Sequence, residues 1–261
     1  MTEKMLSRRD GAIGHMIFNQ PEKRNAVSLD MWERAQEILD DFQNDPEIRV
    51  VVLSGAGGKS FVSGADISEF EKQRGTTEAQ LYYNSQTTKV YERIENFPKP
   101  TIAMIQGFCI GGGLNLACAC DLRICSDDLQ IAMPAAKLAL GYPFSAINRL
   151  KNIVGIANAR MLMFTANRVG AEDAHRMGFA QMVVAADELE ATVNDLAGTI
   201  AGNAPMTVAA MKYISTQVLT DPADRDLEKC QSMVDACFSS EDYKEGRRAF
   251  MEKRKPEFQG R

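Results

Sequence analysis

Histidine is scarce in this chain of 261 residues: only His15 and His175 are present, and both lie far in sequence from the cysteines. Zinc sites of the paired-cysteine type need close Cys spacing with histidine support, so metal binding is not expected. No run of roughly 18 apolar residues occurs, which argues against a membrane-spanning helix. No secretory leader is visible at the N-terminus, so the reading is a cytoplasmic protein with reduced thiols. Four of the six cysteines, Cys109, Cys118, Cys120 and Cys125, crowd into one apolar stretch, as small buried side chains do. Basic excess is missing too: 30 Lys and Arg stand against 35 Asp and Glu, giving a net charge of −5. Nucleic acid is therefore not an expected partner. There is neither a tandem repeat nor a low-complexity linker. The G-x-G-x-x-G dinucleotide fingerprint and the G-K-[ST] of a phosphate loop are also missing, which leaves a nucleotide-dependent enzyme without its binding motif.

What is present centres on Pro98 to Ile124, P-K-P-T-I-A-M-I-Q-G-F-C-I-G-G-G-L-N-L-A-C-A-C-D-L-R-I. Thr101 to Ile105 reads as a buried strand and Leu114 to Cys120 as a buried helix. Gly111, Gly112 and Gly113 lie between them. Such a turn serves either tight packing or close approach of the backbone to a ligand. In the second case, the unpaired N–H groups of the helix's first turn suit a developing oxyanion.

Elsewhere, Gly11 to Asn19 reads as a strand that holds His15 as a structural side chain. Ser28 is a candidate N-cap for a helix from Leu29 to Phe42, whose apolar positions recur at helical spacing. Val50 to Leu53 has the composition of a buried parallel strand. Ser63-Gly64 is a second place where the backbone can open to a ligand. Helices are predicted over Ile67 to Arg74 and Thr77 to Asn96, strands over Leu122 to Cys125 and Leu129 to Met133, and a loop over Pro134 to Pro143. Helices follow over Ser145 to Val154, Ala157 to Thr165 and Ala171 to Met177, then a strand over Ala180 to Val184. From Asp187 onward the chain reads as nearly all helix, with a basic end. The expected class is α/β, divided into a core over 1–195 and a helical C-terminal segment over 196–261.

Several motifs together resemble the enoyl-CoA hydratase/isomerase family, the crotonases: F-V-S-G-A-D-I (Phe61 to Ile67), I-Q-G-F-C-I-G-G-G (Ile105 to Gly113), C-D-L-R-I (Cys120 to Ile124), A-E-D-A-H-R-M-G-F-A-Q-M-V-V (Ala171 to Val184) and the ending E-G-R-R-A-F-M-E-K-R-K-P-E-F-Q-G. The resemblance covers nearly the whole chain. It implies a spiral of β-β-α turns, a helical C-terminal segment that packs between subunits, and a homo-oligomer, either a trimer or a dimer of trimers. It also implies an acyl-CoA substrate, with coenzyme A part of that substrate and no permanently bound cofactor. Carried over by position, the N–H groups of Ala65 and Gly112 would form an oxyanion hole for the thioester carbonyl. Arg24 would meet the CoA phosphates. Ser63, Gly64, Asp66 and Ile67 would line the adenine and pantetheine path with Ala65, and Phe250 and Lys253 would complete the CoA site.

The chain departs from the family pattern where typical hydratases place their two glutamates, which here become Asn115 and Ala135. An amide hydrogen-bonds water but is no general base near neutral pH, and alanine does neither. The resemblance implies a hydratase/isomerase-type lyase or isomerase and leaves the reaction open among hydration, isomerisation and, as an alternative, decarboxylation of a malonyl-type thioester. Decarboxylation needs no strong base, because the electrons arrive as carbon dioxide leaves. Some family decarboxylases carry a tyrosine at the position of Tyr142, which would orient a carboxylate or wall the acyl pocket. Asn115 and Ser145 are the other polar candidates, and Asp121 reads as structural. A non-catalytic CoA-ester-binding or scaffold protein is the reading from a different class.

Overall fold

The run Val50-Val51-Val52-Leu53 sets the architecture. A parallel strand covered on both faces is apolar throughout, and its alternate side chains go to opposite sides. The computed structural model describes residues 3–66 and 76–261 and divides this run in that way. Val51 and Leu53 join the main core, while Val50 and Val52 join a second cluster on the other face.

The described strands are β1 (Met5–Asp10), β2 (Ile13–Phe18), β3 (Val50–Gly55), β4 (Ser60–Val62), β5 (Thr101–Ile105), β6 (Phe108–Ile110), β7 (Leu122–Ser126), β8 (Gln130–Ala132), β9 (Val169–Gly170) and β10 (Met182–Val184). They form a six-stranded sheet in the order β1-β2-β3-β5-β7-β10 and a four-stranded sheet in the order β4-β6-β8-β9. Successive strands alternate between the sheets: β3 then β4, β5 then β6, β7 then β8. The repeated strands pair in parallel, with β1–β2 and β8–β9 antiparallel at the ends. This is the expected spiral.

The described helices are α1 (Leu29–Asn44), α2 (Thr77–Glu95), α3 (Gly112–Ala119), α4 (Phe144–Thr165), α5 (Ala171–Arg176), α6 (Leu189–Ala201), α7 (Pro205–Leu219), α8 (Leu227–Ser239) and α9 (Glu241–Glu252). Helix α1 buries Met31, Trp32, Ala35, Ile38, Leu39 and Phe42, the stripe its sequence spacing predicts. Ser28 occupies the N-cap position, but its hydroxyl turns to the Asp30 carboxylate and does not cap the helix. The two helices expected between Ser145 and Thr165 run as one element, broken at Gly155 by φ 74° and ψ 161°. The helix predicted over Ile67 to Arg74 lies outside the described residues. No described helix is long and apolar enough to cross a membrane.

The expected division at 195/196 falls inside α6. Leu189, Val193, Ala197 and Ala201 of that helix cover the second face of the six-stranded sheet, so α6 packs with the core. The segment after it is tied back by polar contacts. Lys212 on α7 donates to the Asp121 carboxylate at 2.7 Å and to the Lys99 carbonyl at 3.0 Å. Asp121 also accepts from the N–H and hydroxyl of Thr101, which gives it the structural role expected of it. Arg49 donates to the carbonyls of Ala201 and Phe258 at 3.0 and 2.7 Å.

Candidate active site

The glycine triplet lies where β6 hands over to α3, and packing fixes one of its members. A Cβ on Gly113 would stand 2.0 Å from the Val62 carbonyl oxygen, so only glycine lets α3 sit this close to β4. Gly112 is the first residue of α3, and Gly111 is its N-cap. An N–H at that position has no intrahelical acceptor.

Residues 63–66 run beside it. Val27 and Ala65 form an isolated parallel bridge, in which the Val27 N–H donates to the Gly64 carbonyl at 2.8 Å and the Asp66 N–H to the Val27 carbonyl at 3.0 Å. Backbone groups alternate along an extended strand, so the N–H of Ala65 points away from Val27. A Cβ on Gly112 would lie 3.7 Å from the Gly64 Cα, and one on Gly64 would lie 3.9 Å from the Gly112 nitrogen. The N–H groups of Ala65 and Gly112 thus belong to adjacent backbone segments, and neither donates to an acceptor among the described residues. The Asp66 carboxylate is buried and accepts from Lys23 at 2.7 Å and Gln20 at 3.3 Å, so its side chain braces the early loop. The Ser63 N–H donates to the Arg24 carbonyl at 3.2 Å in that same loop. Ile67 lies outside the described residues.

A cavity of about 480 Å³ is lined by Tyr91, Asn115, Tyr142, Ser145 and Arg149, with Tyr83, Asn84, Thr87 and Thr88 of α2 along one wall. No carboxylate is among the described residues that line it. Asn115 and Tyr142, expected from the sequence, meet here. Burial pushes the Tyr142 phenol well above its ordinary pKa, with smaller contributions from Cys118 and Cys109, so it stays protonated and able to donate. The Tyr91 phenol is raised in the same way, first by burial.

Sequence reasoning missed Tyr91, Glu95 and Arg149. The buried Arg149 guanidinium reaches the Glu95 carboxylate through Nε at 2.9 Å and Nη2 at 2.8 Å. Its Nη1 reaches Asn115 Oδ1 at 3.5 Å. A guanidinium taken out of water needs such a partner, and Glu95 meets it from the solvent side. Tyr91 donates to the Gly112 carbonyl at 3.1 Å. Burial raises the thiols of Cys118 and Cys120 to about 12, so they stay protonated near neutral pH, and neither lines the cavity.

The remaining predicted residues lie outside this cavity. Arg24 is exposed, with its guanidinium 4.8 Å from the centre of the Phe108 ring, and Arg168, another residue missed in the sequence, lies 5.0 Å from the same ring. Phe250 is 83% exposed and lines an apolar groove among α7, α8 and α9 with Met206, Met211 and Phe238. Lys253 caps the end of α9 and is exposed. Within one chain, the structure does not bring these two to the cavity lined by Asn115 and Tyr142.

Comparison with known proteins places the sequence and the fold in one family. The sequence profile for enoyl-CoA hydratase/isomerase matches residues 8–261. The short-chain-enoyl-CoA hydratase of Clostridium acetobutylicum is 35% identical over 253 residues, covering 97% of this chain and 96% of that protein. The peroxisomal Delta(3,5)-Delta(2,4)-dienoyl-CoA isomerase of Arabidopsis thaliana is 33% identical over 260 residues, covering 95% and 93%. The crystal structure of an enoyl-CoA hydratase/carnithine racemase from Magnetospirillum magneticum superimposes with a TM-score of 0.92 at 31% identity, over 100% of this chain and 97% of that one. The chain belongs to the enoyl-CoA hydratase/isomerase family.

Proposed function

We propose that the protein binds an acyl-CoA thioester and stabilises its enolate with the N–H groups of Ala65 and Gly112. The observation that carries this reading is the adjacency of two unpaired backbone donors, one of them on Gly112 in the same helix as Asn115, whose side chain lines an acid-free cavity. Fixed N–H donors stabilise charge as it develops on a carbonyl oxygen, without reorganising during the reaction. Coenzyme A enters as part of the substrate. Arg24 would serve its phosphates, and the backbone of Ser63 to Asp66 would line its path. Phe250 and Lys253 would complete that site from another subunit of a trimer or a dimer of trimers, consistent with their exposure on α9.

The reaction favoured is decarboxylation of a malonyl-type thioester. Loss of carbon dioxide supplies the electron pair that forms the enolate, so no base is required. Tyr142, Asn115, Ser145 and Arg149 offer hydrogen-bond donors to the leaving carboxylate, and the α-carbon of the enolate then takes a proton from water. A second reading, hydration, is favoured by the name of the Clostridium relative and would need Asn115 to hold the water. Mass spectrometry of products from methylmalonyl-CoA and crotonyl-CoA separates the two. Loss of carbon dioxide from the first substrate supports decarboxylation, and gain of water on the second alone replaces it with hydration. A protein inert to both and to a wider acyl-CoA panel, yet able to bind coenzyme A, would be a CoA-ester-binding scaffold.

A further inference from the structure

We infer that Tyr83 and Tyr91 are positioning residues that set the spacing of the Ala65 and Gly112 donors, with Trp32 joining them. The inference rests on the oxyanion reading above.

Both tyrosines project from α2, about two turns apart. Tyr91 donates to the Gly112 carbonyl at 3.1 Å, and its oxygen also lies 3.1 Å from where a Gly112 Cβ would be. The contact therefore closes on the residue that carries one of the two donors. Tyr83 donates to the Val27 carbonyl at 3.1 Å, the oxygen that also accepts the Asp66 N–H at 3.0 Å. Val27 is the bridge partner of Ala65, so Tyr83 holds the strand that sets the other donor. Trp32 on α1 links the pair: its indole N–H donates to the Tyr83 hydroxyl at 3.0 Å, and its ring meets Tyr91 edge-on at 5.4 Å and 75°. All three side chains are buried. The segments around Ala65 and Gly112 come from different turns of the spiral, and backbone donors a fraction of an ångström out of place lose much of their effect. One rigid aromatic bracket that grips both segments removes that freedom.

The test uses acetoacetyl-CoA, whose bound enolate is read by its near-ultraviolet absorbance and reports the two donors whatever the natural reaction. Tyr83→Phe and Tyr91→Phe keep the rings and remove only the hydroxyls. The expected result is an enolate-to-keto ratio on the wild-type protein that falls about tenfold in each variant, the effect of one hydrogen bond, while affinity for free coenzyme A is unchanged. A wild-type enolate signal retained in full by both variants overturns the bracket. So does a loss of signal that merely parallels a loss of coenzyme A affinity, because that marks a general structural role. Absence of the enolate signal on the wild-type protein itself overturns the oxyanion reading beneath it.

Discussion

At Gly112, proline removes one N–H and also presses on the Tyr91 hydroxyl, which lies 3.1 Å from a Cβ there. Gly112→Ala keeps the N–H and meets the same contact, so it is the control. Proline is tolerated at the first position of a helix and lacks the amide hydrogen. Gly112→Pro is therefore expected to fold and to lower kcat on the order of 10²–10³-fold, the usual effect of deleting one oxyanion donor. Steady-state kinetics on the substrate identified by product analysis checks this. His15 carries a prediction about stability. It is buried in β2, its Nε2 has no partner among the described residues, and its pKa is lowered, first by burial and then by Arg8, against opposing effects of Asp10 and Glu190. The unfolded chain, with histidine near 6.5, then binds the proton more readily than the folded one. This histidine's share of stability is fully present above the unfolded value and is lost as pH falls from about 6.5 through the depressed folded pKa. Thermal unfolding measured against pH should slope downward on acidification, and His15→Leu should flatten the part below about 6.5.

At the scale of elements, two glycines hold local structure that no other residue can. Gly113→Ala would drive a Cβ into the Val62 carbonyl, with backbone on both sides and no flexible side chain to yield. A fall in soluble folded protein is expected, measured by expression and circular dichroism. At Gly155 the space around a Cβ is open, but φ is 74°, so Gly155→Ala should cost about 1–3 kcal/mol of backbone strain in denaturant unfolding. These elements also show what the sequence reveals and what it conceals. The stripe of α1 and the run in β3 were legible because helical periodicity and continuous burial each leave a pattern. Strand β6 is three residues set between glycines, too short for a pattern. Strand β1 is exposed after Met5 and carries charged residues, so it lacks the apolar signal of a strand. Ala65, Gly112, Asn115 and Tyr142 were legible through motif order. Arg149, Glu95, Tyr83 and Tyr91 were not, because periodicity marks which face of a helix is buried but not which turn of the spiral that face meets.

For the whole molecule, the helical C-terminal segment leaves a group of apolar side chains uncovered within one chain. Met211, Val218, Leu219, Phe238, Phe250 and Met251 are exposed large apolar side chains on α7, α8 and α9. Exposure on this scale marks an interaction surface, and the proposed trimer or dimer of trimers would cover it while bringing Phe250 and Lys253 to a neighbouring site. Sedimentation velocity should give the mass of three or six chains. Charged substitution of Phe250 should weaken CoA binding as well as assembly. A stable monomer that retains full acyl-CoA turnover would contradict the shared site.

The central claim is that two backbone N–H groups polarise a thioester carbonyl, and infrared difference spectroscopy tests it most directly. With butyryl-CoA labelled with carbon-13 at its carbonyl, the bound thioester stretch should move to lower frequency than in solution, and Gly112→Pro should return most of that shift. A bound carbonyl that absorbs at its solution frequency on the wild-type protein would contradict the account.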